Sequence, residues 1–220
     1  MIETLPAPAR CGAGAFIFDL DGTLYDTKDL ARRLVCARPL DAPLMAAERQ
    51  TRKGFAGRDF GGPEAYDAAF FTGMSRRTGR PPEFLREWYF GRYMPAMVRV
   101  LGRCYRARHG TTELFAALTR AGLPFAVYSD YPLVDERLAA LSLDPALCGL
   151  RFGPGGFGAQ KPAARPFREI AAALGRSPDT VLVAGDRDDT DGAGAAAAGM
   201  RFVKIGSAGD WDNLVTQMLH

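Results

Sequence analysis

The sequence predicts an α/β fold, a three-layer core with a mostly parallel sheet and an inserted α-helical cap. Three observations predict it. From residue 111 onward, short apolar runs alternate with helical stretches of about 10–15 residues, the rhythm of a parallel sheet covered on both faces. The first apolar run, AFIF at 15–18, is separated from that rhythm by a long helical block over 28–109. Three runs also end in polar residues: Asp19 with Asp21, then Ser129, then Asp186. Ligands of open α/β sheets bind outside the carboxyl ends of the strands, so one pocket can collect all three ends.

Each element has its own justification. AFIF reads as a buried strand ending at Asp19, and the chain leaves it through DLDGTLYD. Helical segments follow at 28–38, 41–53, 63–78 and 81–94, with a further one across 95–108, divided by Gly- and Pro-containing turns. Within EFLREWYFGRYM, i,i+4 spacing directs Phe84, Trp88, Leu85 and Tyr89 toward one side, a surface for packing between helices. Thr112–Arg120 is helical and stopped by Gly122, PFAVYSD at 124–130 is a strand delivering Ser129, and a helix covers 132–141. CGLRF at 148–152 is a short strand, GPGGFGAQKP a loop, and 163–174 a helix closed by Gly175. TVLVAGD at 180–186 is the clearest strand, followed by an alanine-rich helix and a last strand near 201–205. The expected organisation is a core from 1–27 and 110–220 with a helical cap from 28–109.

Composition narrows the function. Of 220 residues 47% are hydrophobic and the net charge is only +3, which excludes a globally disordered chain. No apolar run approaches the roughly 18 residues of a membrane span, and the N-terminus lacks a basic region followed by an apolar one. The expectation is a soluble, cytoplasmic protein that does not act at a membrane. The four cysteines, Cys11, Cys36, Cys104 and Cys148, form no C-x-x-C pair. With only His109 and His220, imidazole-based zinc sites and histidine-led acid–base chemistry are nearly excluded, which leaves carboxylates to do the chemistry. Charge is uneven: 28–109 carries 17 Lys/Arg against 8 Asp/Glu, a balance of +9, and the remainder carries −6. A basic insertion can bind nucleic acid, present a solvated helical surface, or act as a lid that attracts a small anion. The basic residues are dispersed among acids and aromatics with no helix-turn-helix or finger spacing, so nucleic acid is the reading set aside.

The chemistry begins at FDLDGTLYD. Asp19 and Asp21 leave a strand together, Gly22 permits a tight departure, and Thr23 is placed to orient the Asp21 carboxylate or cap the turn. Two carboxylates this close repel unless a cation neutralises them or one keeps a proton. Either solution is useful: Asp19 can act as nucleophile beside Mg²⁺ while Asp21 supplies and removes a proton. Taken alone, a D-x-D pair is as well read as a solvated Asx-turn. It is joined by GDRDDTDGAG at 185–194, where Asp186 and Asp191 can both reach a hard divalent cation held by Asp19. Asp188 and Asp189 are expected outside that shell, and EF-hand spacing is absent. Ser129 offers a hydroxyl and Lys161, in AQKP, a point charge with reach, and both would balance a phosphate against the carboxylates. GPGGFG matches neither the P-loop nor the dinucleotide pattern.

In this order, DLDGT at 19–23, SD at 129–130, KP at 161–162 and GDRDDTD at 185–191, the residues resemble the four motifs of the haloacid dehalogenase-like (HAD) hydrolase superfamily. The resemblance covers nearly the whole chain and points to the capped phosphatase branch, which includes phosphoglycolate phosphatase and β-phosphoglucomutase. It implies a Rossmann-like core, Asp19 as nucleophile, Asp21 as general acid/base, and Ser129 and Lys161 as phosphoryl-holding groups. It further implies that Asp186 and Asp191 complete an Mg²⁺ site with Asp19 and the Asp21 backbone carbonyl. Members that dehalogenate lack the second aspartate of the first motif, and Asp21 is present. Arg187 stands where relatives often carry a small polar residue, implying an extra electrostatic contact. Within the cap, KGFAGRDFGG at 53–62 makes Arg58 the candidate for substrate specificity. The resemblance thus implies hydrolysis of a small phosphorylated metabolite by a monomer or homodimer, with surplus arginines suited to sugar phosphates, phosphoglycolate or other small phosphoacids. The alternatives are a sugar-phosphate phosphomutase and a non-catalytic phospholigand-binding protein.

Overall fold

The computed structural model describes residues 12–219; the N-terminal stretch read above for leader features, Cys11 and His220 lie outside them. Five parallel strands form one sheet: β1 (Ala15–Asp19), β2 (Phe125–Tyr128), β3 (Leu150–Phe152), β4 (Val181–Gly185) and β5 (Arg201–Lys204), in spatial order β3-β2-β1-β4-β5. β1 and β2 are buried along their whole lengths, as strands covered on both faces must be. Side chains alternate across the sheet, so Phe16 and Phe18 enter one apolar cluster while Ala15 and Ile17 enter the other. On the first face Phe18 meets Phe115 at 5.4 Å and Trp211 at 6.2 Å between ring centres. On the second, Phe167 and Ile170 lie in the cluster with Val181 and Val183.

The insertion after β1 carries the helices α1 (Leu30–Ala37), α2 (Ala42–Lys53), α3 (Pro63–Thr78), α4 (Pro82–Trp88) and α5 (Met94–Cys104). Proline stands in the first two positions of α2, α3 and α4, where its missing N–H has no partner to lose. A π-helical turn at Tyr89–Tyr93 joins α4 to α5. Leu85, Trp88 and Tyr89 are buried between helices, but Phe84 is 39% exposed beneath the Arg80 guanidinium, so the packed face excludes it. The remaining helices are α6 (Thr111–Arg120), α7 (Val134–Ala140), α8 (Pro154–Phe157), α9 (Ala164–Ala173), α10 (Ala193–Ala198) and α11 (Ala208–Leu219). Two of these depart from the sequence reading. α8 is a single helical turn inside the stretch read as loop, and α11 follows the last strand, where no element was expected.

The helical insertion is stitched to the core beside Lys161. Asp59 and Ala159 form an isolated antiparallel bridge. Phe60 N–H donates to Gly158 C=O at 3.0 Å, Gln160 N–H to Arg58 C=O at 3.1 Å, and Gly57 N–H to Lys161 C=O at 3.0 Å. Arg165 grips Asp59 with two bonds of 2.6 Å, a paired fork that holds the Asp59 carboxyl down at about 2. Gly158 is required here: its φ is +66°, and a Cβ would lie 2.0 Å from the Gly62 carbonyl carbon. Gly155, in open space nearby, meets nothing. Gly158→Ala should therefore cost at least about 2 kcal/mol, a fall in Tm of roughly 4–8 °C. Gly155→Ala should leave Tm within a degree or so; thermal unfolding followed by circular dichroism compares the two.

Candidate active site

Asp19, Ser129 and Asp186 are neighbours because their strands are. Asp19 is in register with Tyr128 on one side, and Phe18 with Ala184 on the other, so the ends of β1, β2 and β4 open side by side. Adjacent strands lie about 4.8 Å apart, which brings residues more than 100 positions distant into contact range. Gly22 leaves β1 with φ +95°, and the Asp186 carboxylate occupies the space where a Cβ would stand. The tight turn and the approach of Asp186 both need glycine at this position.

The floor of the site is a buried charge cluster. Lys161 Nζ donates to Asp19 Oδ1 at 2.7 Å, Asp191 Oδ1 at 2.8 Å and the Tyr128 carbonyl at 3.0 Å. Thr23 Oγ1 donates to the other Asp19 oxygen at 3.0 Å. This corrects one expectation, because Thr23 orients Asp19 rather than Asp21. Burial pushes the Asp19 carboxyl well above its ordinary value, Lys161 pulls it back, and Asp191 and Asp21 push it up again. Burial alone would favour neutral Lys161, but Asp19, Asp191 and Asp130 outweigh it and hold the ammonium well above its usual value. Asp186 is raised to about 6, chiefly by burial and then by repulsion from Asp191.

Asp19, Asp186 and Asp191 each offer an oxygen within 4.8 Å of the others. Lys161 bonds two of these three carboxylates, Asp19 and Asp191, and makes no bond to Asp186. An all-oxygen donor set of this size suits a hard divalent cation such as Mg²⁺. Asp188 and Asp189 are turned outward, paired with Lys204 and Arg187 respectively. The extra contact implied for Arg187 is thus a local pair, closed by bonds of 3.0 and 2.6 Å to the Asp189 carboxylate.

Asp21 has a separate set of partners. Tyr25 Oη donates to Oδ1 at 2.6 Å, Ser129 Oγ to Oδ2 at 2.9 Å, and Arg137 Nη2 also bonds Oδ1. Burial acts to raise the Asp21 carboxyl, but the Arg137 charge and these hydrogen bonds prevail, and it lies below its ordinary value. Ser129 is fully buried: it accepts from Arg137 Nη1 at 2.9 Å and from the Tyr131 amide at 3.1 Å, and it does not line the cleft. Its hydroxyl, expected from the resemblance to hold a phosphoryl group, here donates to Asp21. Sequence reasoning missed Arg137 and Tyr25. Tyr25 follows Asp21 at i+4, a usable signal, whereas Arg137 reaches the site only through the packing of α7.

A cleft of about 960 Å³ lies above the floor, roofed by α1 and α2. Asp19, Asp21, Lys161, Asp186 and Asp191 line it; Arg58 does not. Arg58 stacks on Phe60 at 4.8 Å and on Phe55 at 5.2 Å, beside a smaller hollow on the other side of the insertion. The cationic groups of α2 in the cleft are instead Arg49, Arg52 and Lys53. Arg52 is buried, with bonds of 2.8 and 2.6 Å to Glu48, 2.8 Å to Tyr89 and 2.5 Å to the Asp130 carbonyl, so it ties α2 to the end of β2. Arg108 fastens the other end of the insertion, donating to the carbonyls of Thr23 at 2.9 Å and Gly22 at 3.0 Å.

The sequence model of the haloacid dehalogenase-like hydrolases matches residues 13–199, nearly the whole of the described chain. The chain belongs to the haloacid dehalogenase-like hydrolases. Solved structures share the architecture of this HAD chain. A predicted phosphoglycolate phosphatase from Haemophilus somnus 129PT superposes with a TM-score of 0.59 at 20% identity, over 88% of this chain and 85% of that one. A 2-haloacid dehalogenase from Pseudomonas syringae pv. tomato DC3000 gives 0.59 at 18%, over 87% and 86%. A HAD family hydrolase from Deinococcus radiodurans R1, solved with bound phosphate and sodium, gives 0.51 at 25%, over 87% and 80%. No curated protein matches this HAD hydrolase in sequence.

The Asp21–Arg137 contact yields a stability prediction. A carboxyl depressed in the folded protein stabilises it above its ordinary pKa, and the contribution disappears as pH falls through the lower folded value. Arg137→Met should therefore lower stability at pH 7 by about 3 kcal/mol. The gap from the parent protein should narrow progressively below about pH 4, as urea unfolding measured across pH will show.

Proposed function

We propose that this HAD hydrolase is a phosphatase: it hydrolyses a small phosphate monoester through an aspartyl-phosphate on Asp19. The observation that carries the reading is the Asp19 carboxylate, held between Thr23 and Lys161 on the floor of an accessible cleft with Asp21 two residues away. Asp21 separates this reading from dehalogenation, since a phosphate ester's leaving alcohol needs a proton donor and the family's dehalogenating members lack that residue.

In the first half-reaction Asp19 Oδ forms a bond to phosphorus, the ester P–O bond breaks, and Asp21 gives a proton to the departing oxygen. In the second, water attacks phosphorus, the bond to Asp19 breaks, and Asp21 takes back a proton as inorganic phosphate forms. Arg137, Tyr25 and Ser129 keep Asp21 oriented through both halves, and their donors favour its basic form, which suits the second. Lys161 favours the ionised form of Asp19 against the effect of burial and supplies positive charge to the phosphoryl oxygens. Asp19, Asp186 and Asp191, with the Asp21 carbonyl, would hold Mg²⁺, which when bound neutralises charge on the transferring group.

Phosphate release from a panel of small monoesters tests this. Release should require Mg²⁺, stop in EDTA, and fall at least 1,000-fold in Asp19→Asn, an order of magnitude taken from the loss of other covalent nucleophiles. A folded parent protein that releases no phosphate from any ester in Mg²⁺ would overturn the assignment. Conversion of a sugar 1-phosphate into its 6-phosphate, with little free phosphate, would replace it by a phosphomutase.

A further inference from the structure

The roof of the cleft is divided into two bands. On α2 the cleft-lining positions Ala42, Met45, Ala46, Arg49 and Lys53 recur at helical spacing and so form one face, with Glu48 and Arg52 lining the cleft beside it. Arg52, on the same helix, touches the Asp130 carbonyl of the core, which places the carboxyl-terminal half of α2 over the catalytic floor. With 1.5 Å of rise per residue, Arg49 and Lys53 lie within about 5 Å of that contact along the axis, and Met45 about 10 Å from it. The cationic band is therefore inner and the apolar band outer.

Two further features give the bands a meaning. Among the described residues neither Arg49 nor Lys53 makes an ion pair, in contrast to Arg52 and its Glu48 partner. Both are exposed in the cleft, and they face a site whose proposed ligand is a dianion. Beyond them α1 adds Leu30, Leu34 and Val35 to Met45 and Ala46 of α2, with Met97 of α5 behind. The carboxylate that α2 adds to the cleft, Glu48, is buried and paired with Arg52, and Thr27, Tyr93, Tyr131 and Gln160, which also line the cleft, lie on neither α1 nor α2. A polyhydroxylated leaving group placed there would lose its bonds to water without replacement, at a cost that disfavours sugars.

We propose that the alcohol portion of the substrate is apolar, a branched or linear aliphatic or an aromatic group seated between α1 and α2. Arg49 and Lys53 meet the anionic phosphoryl end of the same molecule. This deepens the phosphatase reading and rests on it. It makes Leu34, Val35, Met45 and Ala46 the residues that select the leaving group, and it assigns the charge-reading role to Arg49 and Lys53 in place of Arg58.

The experiment compares three primary alkyl phosphates, whose leaving oxygens differ little in basicity: ethyl phosphate, n-hexyl phosphate and glucose 6-phosphate, each with Mg²⁺. Four extra methylenes partly buried in the outer band should raise kcat/KM for the hexyl ester at least about tenfold over ethyl, with glucose 6-phosphate the poorest. Val35→Asp and Ala46→Asp, at exposed helix positions, should each bring the hexyl-to-ethyl ratio toward one. Arg49→Met should raise KM for both alkyl esters. Hydrolysis of ethyl phosphate with a hexyl-to-ethyl ratio of one or less, or with glucose 6-phosphate preferred, would overturn the inference while leaving the phosphatase reading intact. Calorimetry with hexylphosphonate and ethylphosphonate gives an independent readout. Tighter hexylphosphonate binding that is lost in Val35→Asp would sustain the inference about the cleft even if no ester were turned over. Equal binding of the two would remove it.

Discussion

A lysine ammonium taken out of water costs several kcal/mol, and so does each carboxylate placed near it. In this protein Lys161 offsets part of that cost by bonding Asp19 and Asp191 at once, and much of the surrounding architecture serves to hold the three together. Asp19 comes from the end of β1, Asp191 from the π-helical turn after β4, and Lys161 from the loop before α9. Their meeting requires the parallel order with β1 at the centre, β2 on one side and β4 on the other. The neutralisation is incomplete, with one ammonium among three carboxylates. Burial first, and then repulsion from Asp191, raises Asp186 to about 6.

The same loop that delivers Lys161 carries the stitch to the helical insertion. Gly57 bonds the Lys161 carbonyl, and Phe60 and Arg58 pair with Gly158 and Gln160, so the roof and the key cation share a backbone ladder. Arg52 makes a second tie at the end of β2 and Arg108 a third behind Gly22. Each tie ends within a residue or two of a site group. A shift of α2 is in this way mechanically connected to the positions of Lys161, Asp130 and the Asp21 turn, while the outer part of the cleft between α1 and α2 remains open to a ligand.

Asp21 and Asp19 illustrate how environment separates two residues of one kind. Two positions apart, they have different neighbours. Asp19 is buried, and with Asp191 and Asp21 nearby its pKa stays high although Lys161 pulls it down. Asp21 is held by Arg137, Tyr25 and Ser129, which keeps it low. Burial and the partners that packing supplies thus move two neighbouring carboxyls in opposite directions.

Much of this was legible in the sequence, because local rules govern it. The apolar runs with polar ends located the strands, and helical stretches divided by Gly- and Pro-containing turns located the helices of the insertion. The D-x-D turn, the lysine before proline and the acidic run after β4 could be read as one constellation, since each ends or follows a strand. Other features were not local. Arg137 lies mid-helix with nothing beside it to mark it; only the packing of α7 against α5 and β3 brings it to Asp21. Arg58 drew attention as a basic residue in a Gly-rich loop, yet aromatic stacking takes it to the far side of the insertion, and the cleft receives Arg49 and Lys53. Ser129 arrived at the strand end as expected but spends its hydroxyl on Asp21. By itself the sequence determined which residue types reach the carboxyl edge of the sheet, because the position and length of each strand along the chain follow from hydrophobic pattern. Only the tertiary structure decided which partner each polar group takes, because once water is excluded a buried donor must bond whatever acceptor the packing of distant elements places within about 3 Å.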